Sequence, residues 1–330
     1  MLKLLMPNGL SHDYRTVRRF FKIVELMGRY GFCDLAENIY PNHRFHWMKK
    51  SGGSGSVRYS RPEKLRMLFE ELGPTFVKLG QILSTRTDLI SKAYTDELAK
   101  LTEHVPPFPF SEVESIIRQE FGRSVGELFL EFSREPIAAA SIGQVHGARL
   151  PDGMEVVVKV RRPGIVETIN TDLEIMRFIA VKMEEYSEVF ARMEPSRIVS
   201  EFAYSLKREL NYRAEAANLL LFRKNMAGTP HMKVPALIDE LSSERVLTME
   251  RIHGDSVASI LADPAKREKY DLKFLAETGV NSLLSQIFEY GFFHADPHPG
   301  NIFIEPGNIL VFIDFGMMSR VSMKERNDFV

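Results

Sequence analysis

The segment Phe293-His294-Ala295-Asp296-Pro297-His298-Pro299-Gly300-Asn301, followed thirteen residues after Asn301 by Asp314-Phe315-Gly316, restricts the fold more than any other part of the chain. An Asp with an Asn five residues on, and a second Asp at the end of an apolar run, is the spacing by which phosphoryl-transfer enzymes hold metal ions on a nucleotide. The runs 302–304 and 309–313, around Pro306-Gly307-Asn308, predict a hairpin ending at Asp314.

The residue types suit the task. ATP or ADP phosphates concentrate negative charge, which Mg²⁺ bridges while taking oxygen from one or two protein groups. Asn301 and Asp314 are the candidate metal ligands. Asp296 is left free of metal, in the position that orients an acceptor hydroxyl or a water. Pro297 and Pro299 stiffen the loop around the permissive Gly300. His294 is expected to be an architectural hydrogen-bonder rather than a proton carrier.

A second stretch answers the first. The loop Pro136-Ile137-Ala138-Ala139-Ala140-Ser141-Ile142-Gly143-Gln144-Val145 leads into a β-type run, a turn at Pro151-Asp152-Gly153, and a second run, Glu155-Val156-Val157-Val158-Lys159-Val160. A lysine inside an apolar strand behind a small-residue loop places an ammonium on nucleotide phosphates. Without an anion its burial is costly, so Lys159 needs partners. Residues 172–190 and 197–227 read as two helices, the second carrying Glu209 and Glu215. Six residues of one helix turn through about 240°, leaving the two acids about 120° apart. They therefore serve different partners: Glu215 is expected to pair with Lys159, and Glu209 with Lys78.

The remaining chain supplies the surroundings. Residues 13–40 form a basic amphipathic helix, with Arg15, Arg18, Arg19, Lys22 and Arg29 beside an apolar stripe; it suits an anionic membrane surface and docking on its own protein equally. Residues 51–56 are a Gly/Ser linker. A helix opens at Arg61 with Pro62 in its first turn, and a second carries Lys78 and Gln81 on one face. Residues 111–120 read as a helix with a Ser111/Glu114 capping box. Residues 234–238 and 245–249 read as strands. The second runs into Glu250-Arg251-Ile252-His253-Gly254, where the backbone at Glu250 and Ile252 can meet an adenine edge. A helix over 271–290 presents Leu272, Leu275, Ala276, Val280, Leu283, Leu284, Ile287 and Phe288 as its buried stripe.

Composition narrows the alternatives. A 44% hydrophobic content over 330 residues supports a packed core, and a net charge of −1 gives no field favouring nucleic acid. A single cysteine, Cys33, excludes an internal disulfide and a Cys-based zinc site and fits a reducing compartment. No run of eighteen apolar residues and no signal-peptide core occur, so a cytoplasmic chain that does not span a membrane is expected.

Taken together, Lys78-Leu79-Gly80-Gln81, the Ala138 to Val145 loop, Lys159, Glu209 and Glu215, the His294 to Asn301 loop and Asp314-Phe315-Gly316 resemble the UbiB (AarF-type) protein-kinase-like family of coenzyme Q biosynthesis. The resemblance covers roughly residues 61–320. It implies an α+β, two-lobed kinase-like fold with an N-terminal helical extension and a large lobe truncated at its C-terminus, since the family's later helices and membrane segments have no counterpart before Val330. The corresponding divisions are 1–50 for an amphipathic segment, 51–60 for the linker, 61–135 for the extension, 136–254 for the small lobe and 255–330 for the start of the large lobe. Lys159, Glu215 and Asp296 are the implied catalytic residues. Ala138, Ala139, Ala140, Ser141, Ile142, Gln144, Val145, Lys159, Glu250 and Ile252 are the implied nucleotide contacts.

Alanines in place of a Gly-rich phosphate loop restrict the backbone and favour a different nucleotide pose. In the family the Lys-x-Gly-Gln helix covers the protein-substrate site, which points to an ATPase or small-molecule kinase, with Lys78, Gln81 and Glu209 as the occluding set. Peripheral association with a membrane surface or prenyl lipid, and with other quinone-biosynthesis enzymes, follows from the same resemblance. This chain has Glu209-Leu210-Asn211 where the family usually has Glu-x-Asp, so one negative charge is missing. Two other functions share parts of the pattern: a small-molecule phosphotransferase of the aminoglycoside or choline kinase type, which lacks the Lys78 helix, and a non-catalytic lipid-binding scaffold.

Overall fold

The computed structural model describes residues 13–32, 59–101, 106–186 and 188–328. Two compact units emerge, one built from residues up to 106, 139–142 and 162–206, the other from 107–138, 143–161 and 207–330. The Gly/Ser run at 51–56, and the part of the first helix expected beyond residue 32, lie outside the described residues.

The first unit is helical. Helix Tyr14–Arg29 begins at Asp13, whose carboxylate accepts the Arg15 N–H. Its stripe of Val17, Phe20, Ile23, Val24, Leu26 and Met27 is buried, with Phe20 edge-on to Phe178 of helix Ile165–Tyr186. The apolar face therefore docks on its own protein. Arg19 leaves the basic face as well: it grips buried Asp172 at 2.6 and 3.0 Å and donates to the Leu72 carbonyl at 2.6 Å. Three helices are pinned by one guanidinium.

Helices Arg61–Leu72, Pro74–Ser84 and Lys92–Leu98 pack together, the first opened by a Ser60/Glu63 capping box with Pro62 in its first turn. Gly80 is required by close approach: a Cβ there would lie 2.3 Å from Leu101 Cδ1 and 2.8 Å from Phe69. The helix expected over 172–190 is two, Ile165–Tyr186 and Glu188–Met193.

The helix expected over 197–227 is also two, Pro195–Glu209 and Tyr212–Asn225. Asn211 breaks it, its side chain accepting the Arg213 and Ala214 N–H groups as the cap of the second helix. An Asx side chain favours such a cap over continued helix. Glu209 and Glu215 thus do not share a helix, and the 120° separation expected of them does not apply.

The second unit holds the strands. An antiparallel sheet runs in the order β1 (Glu131–Phe132), β3 (Gly143–Arg149), β4 (Glu155–Arg161), β6 (Val246–Glu250), with β2 (Ala138–Ala139) off this path. One face covers a core containing Val113, Ile116, Ile117, Val156, Val158 and Val160. Helix Phe110–Phe121 on that core is preceded by Pro109 and has no side-chain cap, so the expected Ser111/Glu114 box is absent; the box sits at Ser124/Glu127 instead.

A second sheet orders β5 (Met232–Lys233), β10 (Ile309–Phe312), β9 (Ile302–Glu305) and β7 (Asp255–Ser256), and β8 (Phe292–His294) pairs with β11 (Met318–Arg320). Of the strand expected over 234–238 only an isolated bridge from Leu237 to Met249 forms, β5 ending just before it, because Pro235 removes a ladder donor. The long helix is Leu272–Leu284 continued by a π turn over Ser285–Tyr290. Of its expected buried stripe only Leu275 is buried, while Leu272, Val280, Leu283, Leu284 and Phe288 are exposed. The inward positions go to Ser282 and Gln286.

Candidate active site

Strand alternation decides what faces the site. Along β4 the buried Val156, Val158 and Val160 take the core face, leaving Val157, Lys159 and Arg161 on the other. The register sets Val145 and Leu247 directly across from Lys159, and Gln144 across from Val160. Val145 and Lys159 therefore share a face, and Gln144 points the opposite way. Its amide accepts the Phe108 N–H at 3.0 Å and donates to the Phe108 carbonyl at 3.3 Å and to His146 Nε2 at 2.9 Å. The Gln144 side chain, expected at the nucleotide, is a buried clamp inside the small sheet.

Lys159 finds the partner expected of it. Its Nζ lies 2.5 Å from Glu215 Oε1 and 3.4 Å from Asp314 Oδ2. Burial alone would push the ammonium down, but Asp314 and Glu215 outweigh it and hold the group charged above the usual lysine range. Burial pushes the Glu215 carboxyl up, against the pull of Lys159. Burial also acts upward on Asp314, yet Lys159 and the Gly316 N–H, 2.9 Å from Oδ1, bring it below the usual carboxylate range. Glu215 retains 6% of its side-chain surface, whereas Asp314 retains 42%. One acid anchors the lysine and the other still faces open space.

The expected hairpin forms and leads into Asp314. Ile302 pairs with Phe312 in the β9–β10 register, and the next rung is the Ile313 N–H donating to the Asn301 carbonyl at 3.1 Å. Asn301 is thereby fixed beside the residue preceding Asp314. His294, buried and stacked on Phe312, bonds through Nε2 to the Asp314 carbonyl at 2.5 Å and accepts the Asp296 N–H on Nδ1 at 3.2 Å. Since Nδ1 accepts, Nε2 carries the proton, and the neutral ring ties the loop to Asp314. Gln286 Oε1 accepts the His294 N–H at 2.9 Å, which explains its inward position on the π turn. The Asp296 side chain is exposed.

The other residues expected at the site have these surroundings. Glu250 holds Lys233 at 2.8 Å and the Ala236 N–H at 3.1 Å, and its own N–H donates to the Ala236 carbonyl. Ile252 is half-buried. Ala138 lies next to Ile137, whose N–H donates to Val145, while Ala139, Ala140, Ser141 and Ile142 group with the helical unit, Ser141 being buried. Lys78 and Gln81 also belong to that unit, where Gln81 donates to the Leu101 carbonyl at 3.4 Å; Glu209 ends its helix in the other.

Two contributors escaped the sequence reading. Arg161 donates to the Leu210 carbonyl and to Glu244 Oε1 at 3.3 Å, strapping the helix break to the strand that bears Lys159. Tyr212 is buried, and a Cβ on Gly143 would lie 2.5 Å from its hydroxyl. The period-2 position of Arg161, two after Lys159, was the available signal.

The donor set fits a magnesium nucleotide. Among the described residues no group of three or more His, Cys, Asp or Glu side chains gathers as a metal cluster. One carboxylate and one amide remain, the small protein share that Mg²⁺ takes when phosphates and water complete its shell.

Comparison with known proteins gives the family and the fold. The chain matches the model of the ABC1 atypical kinase-like domain over residues 100–330. It is 38% identical over 318 residues to the probable protein kinase UbiB of Marinobacter nauticus, covering 94% of this chain and 58% of that protein. The chloroplastic protein Activity of BC1 Complex Kinase 8 of Arabidopsis thaliana is 44% identical over 324 residues, or 96% of this chain and 42% of that one. The chain spans about half the length of the curated relatives it matches. Among solved structures, the complex of Rv3197 with erythromycin from Mycobacterium tuberculosis is 32% identical with a TM-score of 0.54, covering 77% of this chain and 63% of that one. The fold is kinase-like, mixing helix and sheet. With the domain model matched over most of its length, this chain belongs to the ABC1 atypical kinase-like family, the family of the UbiB proteins.

Proposed function

We propose that this chain is the nucleotide-handling part of an atypical kinase-like ATPase that supports isoprenoid quinone synthesis at a membrane surface. The observation that carries the reading is the Lys159 ammonium, 2.5 Å from Glu215 and 3.4 Å from Asp314. A buried cation held between two acids, one of them open to solvent, is poised to accept a polyanion without reorganising. Lys159 donates to phosphate oxygens, and Glu215 keeps it extended from its strand. Asp314 and Asn301 would hold Mg²⁺, which when bound neutralises charge on the transferring phosphoryl group. Asp296 orients the attacking water or hydroxyl. Val145 lines the base-proximal side from the strand opposite Lys159, and the backbone over 250–252 completes the contacts with the base.

The Lys78 and Gln81 motif favours water or a small hydroxylated acceptor over a protein substrate, as in the family. The quinone link rests on the UbiB name of the relatives. A prenyl lipid or membrane surface as partner rests on the family alone, since among the described residues no helix is long and apolar enough to cross a membrane. Magnesium-dependent ATP hydrolysis, stimulated by phospholipid vesicles, is expected of the wild-type chain. Asp314→Asn should lower it by about 10²-fold or more; equal rates for the two proteins would refute the reading.

A further inference from the structure

Three hydrogen bonds close the loop between Asp296 and Asn301, and all run through His298. Its N–H donates to the Asp296 carbonyl at 2.7 Å, its carbonyl accepts the Asn301 N–H at 2.8 Å, and its ring Nδ1 accepts the Gly300 N–H at 3.0 Å. Pro297 and Pro299 flank it and fix the neighbouring φ angles. His298 therefore sets the spacing of the exposed acid and the amide, and its own ring is oriented by Gly300.

The bond to Gly300 also settles the tautomer. A ring nitrogen that accepts a backbone N–H carries no proton, so the neutral imidazole bears its hydrogen on Nε2. His298 is exposed, and no hydrogen bond to Nε2 occurs among the described residues. The loop thus offers a fixed donor two residues after Asp296 and three before Asn301. A donor preorganised in this way stabilises charge that a reaction brings to it. On the nucleotide reading above, the loop between Asp296 and Asn301 meets the oxygens of the transferring phosphoryl group.

We infer that His298 is a catalytic residue whose Nε2–H donates to a non-bridging oxygen of the ATP γ-phosphoryl group, an inference that rests on the nucleotide reading above. In hydrolysis the water oxygen bonds to the γ-phosphorus as the bond to the ADP oxygen breaks. The electron pair of that bond leaves with ADP, and the proton of the water passes to Asp296. His298 gives up no proton; its hydrogen bond shortens as charge spreads over the phosphoryl oxygens.

Two substitutions in the full chain separate this role from a loop strut. His298→Asn places an amide oxygen where Nδ1 sits, which keeps an acceptor for Gly300 and removes the outward donor. His298→Ala removes both. His298→Asn should keep the wild-type thermal midpoint and bind Mg-ADP within about twofold of wild type, while hydrolysing Mg-ATP about 10²-fold more slowly. Wild-type turnover by His298→Asn, with only His298→Ala impaired, would leave His298 a strut and overturn the inference while the nucleotide reading stands. Failure of the wild-type chain itself to bind or hydrolyse Mg-ATP would instead overturn the nucleotide reading, and this inference with it.

Discussion

At the scale of single residues, the site is a set of groups whose charge states are fixed by burial and by one another. His294 and His146 are both pushed below the usual histidine range, first by burial, against hydrogen bonds to the Asp314 and Ser133 carbonyls. Their folded values lie below their unfolded value near 6.5, so the unfolded chain binds more protons as pH falls through that value. Their contribution to stability is present at neutral pH and is lost on acidification. Glu215, pushed up by burial, acts in the opposite sense from about 4.5 upward. The histidine part is therefore read by comparison: the thermal midpoint should fall between pH 7.5 and 5.5, and fall less in His294→Gln, by a few degrees, the scale set by about 1 kcal/mol in a domain of this size. Parallel pH dependences would refute the assignment. Lys159 and Asp314 could be named from sequence because their chemistry is specific. The side chain of Gln144 could not be placed, because one step of strand register decides which face it takes.

At the scale of elements, the decisive feature is the break at Leu210-Asn211. It ends one helix and starts the next, setting Glu215 in a first turn from which it reaches Lys159. Arg161, two residues from Lys159 on the same strand face, secures the break by donating to the Leu210 carbonyl, and the Tyr212 N–H donates to the Glu244 carbonyl at 3.2 Å. A cation suits a helix-terminal carbonyl, and a hydrogen bond from a charged group contributes about 1.5–3 kcal/mol. Arg161→Met should lower unfolding stability by about that amount and weaken Mg-ATP binding by about tenfold, with Arg161→Lys recovering part of each. Denaturant unfolding and nucleotide titration would measure both; unchanged nucleotide affinity would show that the strap does not position Glu215. Hydrophobic periodicity runs straight through this break, since apolar residues continue at helical spacing on both sides, and only the capping bonds of Asn211 reveal it. The β3–β4 and β9–β10 hairpins were legible because each turn carries its own punctuation, at Asp152-Gly153 and Gly307-Asn308.

At the scale of the whole molecule, the helix Leu272–Leu284 and the π turn after it leave Leu272, Val280, Leu283, Leu284, Phe288 and Tyr290 exposed along one element. A contiguous apolar surface of this kind drives association in water, and a net charge of −1 offers little repulsion to oppose it. Sedimentation or light scattering should show concentration-dependent self-association, and Val280→Lys with Leu284→Lys should suppress it; a wild-type chain monomeric at every concentration would contradict this. The basic helix at the N-terminus runs the other way: its apolar stripe is taken up by its own unit, and Arg19 is drawn inward to Asp172. What the sequence determined alone is the chemistry and its local carriers: an acid and an amide in a stiff loop, a second acid at a hairpin's end, and a strand lysine that needs an anion. These follow from residue type and spacing, which are local. Only the tertiary structure decided that a helix break separates Glu215, the partner expected for Lys159, from Glu209, that Gln144 turns inward while Val145 faces the lysine, and that the stripe over 272–288 stays largely uncovered. Each of these depends on which distant surface a side chain meets, and burial is a property of the assembled chain.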